Sequence, residues 1–154
     1  MRKMKTKIVF CLLLLASVSC DDNVRSSIPV RQVNLVRSML TDTDAFGLMN
    51  PGTCKEFVTP LKATDRLGFG GLLVVCGFNF DEKQNHFAFD LACPYEVHPE
   101  VRVTMNDALQ AECSTCGSKF NVVYGTGVCA EGPAREGLRR YRISVSGYTI
   151  TVRR

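Results

Sequence analysis

This sequence predicts an all-β fold of short antiparallel strands, and three observations carry that prediction. Apolar and polar residues alternate with a period of two in one segment after another. Gly, Pro, Asn and Asp gather between those segments. Beyond the N-terminal segment, no window keeps a 3.6-residue apolar period over ten residues.

The elements follow in order. Val33, Leu35, Arg37 and Met39 mark a strand with one buried face. Residues 41–60 read as loop with room for one short strand. The Gly turns of "GFGGLLVVC" then feed a buried strand, Leu72 to Cys76. A polar turn at Asp81 to Asn85 leads into His86 to Asp90, where Phe87 and Phe89 share a face. Val101, Val103 and Met105 form the next strand, Asn106-Asp107 a turn, and Leu109 and Ala111 open the return. Phe120 to Tyr124, Tyr141/Ile143/Val145 and Tyr148/Ile150/Val152 around Gly147 complete the series. Neither an internal repeat nor a low-complexity tract interrupts it.

The N-terminus states a compartment. Arg2, Lys3, Lys5 and Lys7 precede the unbroken apolar run Ile8 to Ala16, which is too short to span a bilayer and fits the core of a secretory signal. Ser17-Val18-Ser19-Cys20 resembles a bacterial lipobox, with Ser17 where that motif usually has Leu; the likeness implies lipidation of Cys20 after cleavage, and plain secretion is the alternative. The organisation expected is a signal over 1–19, a polar tether over 20–27 and one domain over 28–154. The mature protein is then expected in the bacterial cell envelope, lipid-anchored on the periplasmic or cell-surface side.

Cleavage also decides the charge argument. The whole chain carries 19 Lys and Arg against 15 Asp and Glu. Loss of Arg2, Lys3, Lys5 and Lys7, with no acidic residue, leaves the two signs balanced. A basic surface for nucleic acid is therefore excluded as a prediction. No hydrolytic or transferase constellation is visible either, since His86 and His98 are the only histidines. His86 is expected half-buried or exposed in its strand, and His98 in a surface loop. No catalytic residue is assigned; an electron carrier or a non-catalytic binding module is the expectation.

The chemistry lies in the cysteines. Cys54, Cys76, Cys93, Cys113, Cys116 and Cys129 follow the signal, and an even number outside the cytoplasm suits a disulfide framework. Cys54 and Cys76 are expected to pair with each other. Cys113-Ser114-Thr115-Cys116 has the spacing of a redox dithiol, but no helix start follows to lower the thiol pKa. Metal binding is the sharper option: Cys93, Cys113, Cys116 and Cys129 make a four-thiolate set suited to zinc or to a thiolate-only cluster.

"FDLACPYE" and "CSTCGSKFNVVYGTGVCAEGPA" are similar to the two ligand loops of the Rieske iron–sulfur family, whose ligands come as Cys-x-His and Cys-x2-His-Gly-Ser-x-Phe. The resemblance covers about Gly70 to Val152, and Gly132-Pro133-Ala134 resembles the loop that covers the cluster. It implies a small Rieske-like domain with two ligand-loop hairpins at one end, a [2Fe–2S] cluster, electron transfer and a redox partner. Cys93 and Cys113 match the family's cysteines; Tyr95 and Cys116 stand at the histidine positions. The Arg2-Lys3 start lacks a twin-arginine pair, so the chain is expected to cross the membrane unfolded, without a cluster assembled in the cytoplasm. Zinc or disulfides could form outside, which leaves a cluster-free structural or interaction module as the alternative.

Overall fold

A computed structural model describes residues 26–78 and 86–154. The signal, Cys20 and the expected turn at Asp81 to Asn85 lie outside the described residues. Among those described, every regular element is a strand: β1 (Val33–Ser38), β2 (Cys54–Phe57), β3 (Arg66–Leu67), β4 (Leu72–Cys76), β5 (His86–Asp90), β6 (Val103–Met105), β7 (Gln110–Cys113), β8 (Lys119–Asn121), β9 (Val128–Glu131), β10 (Arg140–Ser146) and β11 (Thr149–Arg153). All pairings are antiparallel. No described helix is long and apolar enough to cross a membrane.

Seven strands form one sheet in the order β2-β4-β5-β10-β11-β1-β3, and β6-β7-β8-β9 form a meander of four. The larger sheet curls almost into a barrel. The Arg37 guanidinium on β1 lies 5.9 Å from the ring centroid of Phe57 on β2. Five strand spacings in a flat sheet would hold those strands about 24 Å apart. Inside the curl pack Val33, Leu35, Leu72, Val74, Ala88, Ile143, Ile150 and Val152.

The opposite face of β4 and β5 meets the meander. Leu73, Val75, Phe87 and Phe89 pack there against Val103, Ala111, Phe120 and Val122. Both faces of β4 are thus buried, which is why "LLVVC" is an unbroken apolar run rather than an alternation. The expected sharing of one face by Phe87 and Phe89 holds.

Polar groups inside the curl are matched. Arg37 falls on the buried face of β1, where its Nη1 and Nη2 reach the two Asp65 oxygens at 3.0 and 2.6 Å and its Nε reaches Asp44 at 2.6 Å. Asp65 also accepts the Leu61 and Lys62 amides, so the desolvated pair has few unmet bonds. The strand expected over Phe120 to Tyr124 stops at Asn121, because the chain turns to let Gly125 donate to the Val122 carbonyl. His86 is buried rather than exposed, with Nε2 2.7 Å from the Leu48 carbonyl. At the other end of the chain, Arg139 takes the Ser26 and Ile28 carbonyls, which docks the last residues of the expected tether onto the domain.

Candidate metal centre

Two connections meet at one end of the meander. The first joins β5 to β6, and its neck is closed by the Ala92–Arg102 bridge and by the Cys93 amide on the Val101 carbonyl at 3.0 Å. Asp90 holds it from behind. This fully buried carboxylate accepts the amides of Phe69, Gly70 and Ala92 and the Tyr141 hydroxyl, at 2.8 to 2.9 Å. Burial, then the Asp90 charge and hydrogen bond, push the Tyr141 hydroxyl pKa well up, so it stays a donor. Gly70 sits against the same neck: a Cβ there would lie 2.6 Å from the Ala92 amide nitrogen. Past Cys93 the loop closes through the Val97 amide on the Cys93 carbonyl. Val97 has φ of 50°, a conformation β-branched side chains seldom adopt and one that concentrates at functional sites.

The second connection is the β7–β8 turn. Cys113 ends β7 and takes the Ser118 carbonyl with its amide at 2.9 Å; Gly117 returns a bond to the Cys113 carbonyl at 2.8 Å, with φ of 71° that glycine adopts without strain. This tight closure turns both Cys113 and Cys116 toward the first loop.

The sulfurs of Cys93, Cys113 and Cys116 lie within 4.8 Å of one another, a group that could bind a metal ion. Cys93 and Cys113 are buried and Cys116 half-buried. The Cys93 and Cys116 sulfurs are 3.6 Å apart. Thiolates on one tetrahedral zinc at 2.3 Å would be separated by about 3.8 Å. The spacing therefore fits two ligands of one ion.

Electrostatics divides Cys93 from Cys116. Burial pushes Cys93 up to about 12, against the pull of the Glu96 and Tyr95 amides that donate to it. Burial opposes ionisation of Cys116 as well, but there the Ser118 hydroxyl and amide, with the Cys93 and Cys113 thiols, outweigh it and lower the pKa. Of Cys93 and Cys116, Cys116 ionises the more readily, and uptake of a cation by thiolates would release protons.

Ser118, which the sequence offered only as the Ser of the second loop pattern and with no role, supports the site. It is fully buried; its Oγ accepts the Ala134 amide at 3.1 Å and lies 3.2 Å from the Cys116 sulfur. The protonated Cys116 thiol donates to this oxygen, and once the thiol ionises the Ser118 hydroxyl turns its proton to the thiolate. Gly132 lies against the same residue, so the 131–134 segment packs over Ser118.

The other expected ligands stand apart. Tyr95 is 55% exposed, and only its backbone amide serves the site. Cys129 lies in β9 opposite Phe120, outside the group of three, with its thiol donating to the Glu131 carbonyl at 3.1 Å; the fourth thiolate of the expected set is thus not delivered. His98, expected in a surface loop and not as a ligand, is exposed there, its Nδ1 accepting the Glu100 amide at 3.3 Å. Among the described residues the structure brings together three thiols that could hold a metal ion, and Tyr95 is not among them.

Cys54 and Cys76 do not meet either. Cys54 stands opposite Val75 in the β2–β4 register and packs with the core on that face. Cys76, one residue on, projects to the opposite face of β4. Closing a disulfide between them would require a register shift, so the expected pairing is replaced by two separate thiols, each with a pKa raised by burial.

No protein-family model matches the chain, and no curated protein matches it.

Proposed function

We propose that this protein is a cell-envelope module in which a Rieske-like β-domain holds a single zinc ion on Cys93, Cys113 and Cys116. The ion staples the two loops and stabilises the surface they form. The observation that carries this reading is the convergence of three thiols within 4.8 Å from two connections. Support for the Rieske-like frame comes from two facing loops at one end of a four-stranded meander seated on a larger curled sheet. Amide donors at Cys93 and the Ser118 donors at Cys116 suit thiolates held by a cation.

Zinc is preferred for chemical reasons. It favours thiolates, has no redox chemistry to lose outside the cytoplasm, and contributes folding free energy directly. Cys20, lipidated, would tether the module to the membrane, with Ser26 and Ser27 leading into the domain.

The test is metal analysis with thiol counting on the mature protein purified without air. One zinc per chain, lost in Cys113→Ser, is the expected result. Iron with acid-labile sulfide would support the electron carrier instead. No metal together with a Cys93–Cys116 disulfide would leave a disulfide-stabilised domain.

A further inference from the structure

The three thiols do not surround the space between them. Cys93 and Cys113 belong to the core between the meander and the larger sheet, so Val103, Phe120 and their neighbours fill the inner side. Cys116 sits at the rim of that core, and the residues beside it on the outer side, Tyr95, Ser114 and Thr115, are exposed. Among the described residues no fourth Cys, His, Asp or Glu joins the group. Two other residues of ligand type in the same part of the chain have partners of their own, Cys129 the Glu131 carbonyl and His98 the Glu100 amide.

We infer that an ion on Cys93, Cys113 and Cys116 keeps its fourth coordination position open to solvent on the Cys116 side, and that this position takes a small neutral nitrogen donor of imidazole type. The inference rests on the single-ion reading above. Zinc prefers four ligands, and sites with three protein ligands bind water or an exogenous ligand at the fourth. A dication with three thiolates already carries about −1. Zinc tolerates a fourth thiolate where the chain supplies one, but an anion arriving from solution would have to approach that net charge, and a neutral donor would not. Imidazole nitrogen is also a donor zinc binds readily. Water fills the position until such a donor displaces it.

Cobalt(II) in place of zinc makes the test optical. The mature protein and its Cys129→Ser and His98→Ala variants are loaded with cobalt(II), then titrated with imidazole. Thiolate-to-cobalt absorption of equal intensity is expected in all three, followed by a saturable shift of the ligand-field bands. Bands that stay fixed under imidazole would overturn the open position and leave the single-ion site standing. A spectrum already altered by Cys129→Ser or His98→Ala before imidazole is added would also overturn it, by identifying an internal fourth ligand. Absence of any thiolate-to-cobalt absorption would sink the single-ion reading itself, and this inference with it.

Discussion

Ser118→Ala tests how the site is supported. The Oγ holds two groups at once, the Ala134 amide at 3.1 Å and the Cys116 sulfur at 3.2 Å, and the residue is fully buried. Alanine fits the space, so the change removes bonds rather than packing. Ala134 is itself buried, and stranding its amide costs about 1–3 kcal/mol whether or not metal is present. For a domain of this size each kcal/mol lowers Tm by about 3–5 °C. The loaded protein should lose more. Losing the hydroxyl that orients and stabilises the Cys116 thiolate should weaken metal binding about 10- to 100-fold, a further ~1.4–2.7 kcal/mol. Thermal unfolding with and without zinc, and zinc competition against a chromophoric chelator, separate the two effects. If Tm falls while affinity stays within about twofold of the parent, the bond to sulfur contributes nothing and Ser118 only anchors the 131–134 segment. If neither quantity changes, the bridging role argued from these distances is refuted.

Other perturbations test the surroundings. Gly132→Ala adds a Cβ 2.5 Å from the Ser118 Cα at φ of 98°, and should cost more than about 1 kcal/mol while weakening metal binding; a variant as stable as the parent would contradict the close approach. The Arg37 fork, against the penalty of burial and with help from the Lys62 and Leu61 amides, lowers the Asp65 pKa to about 2. Its folded pKa lies below the unfolded value, so its stabilisation of about 2–3 kcal/mol is present above about pH 4 and is lost as pH falls through 2. Urea midpoints across that range should show a shallower acid limb in Asp65→Asn than in the parent, and equal limbs would assign the loss to another carboxylate. Cys20→Ser should move the protein from the membrane fraction to the soluble one; unchanged membrane association would exclude the lipid anchor.

The sequence by itself determined the class of fold and the sites of most of its strands. Alternation in β1, β10 and β11 and the apolar run of β4 are local signals, set by which side chains must leave water, and they needed no tertiary information. The two cysteine loops were legible for the same reason, since Gly, Pro and cysteine spacing mark connections directly. β3 and β9 went unseen, because two residues cannot display a period and "VCAE" is largely exposed.

Only the tertiary structure decided which thiols meet. Cys116 and Cys129 were both placed in the four-thiolate set, yet the β7–β8 turn points one at Cys93, and the β9 register holds the other on the Glu131 carbonyl. Cys54 and Cys76 are both in reach by strand order, but the pleat sends them to opposite faces. The supports were hidden too. Asp90 is an ordinary polar residue in sequence and Ser118 one letter of a loop pattern, and each acquires its role in part from groups 16 to 51 positions away that close around it. Ligand type is written locally, but ligand geometry is a sum of registers and turns that exists only once the sheets have packed.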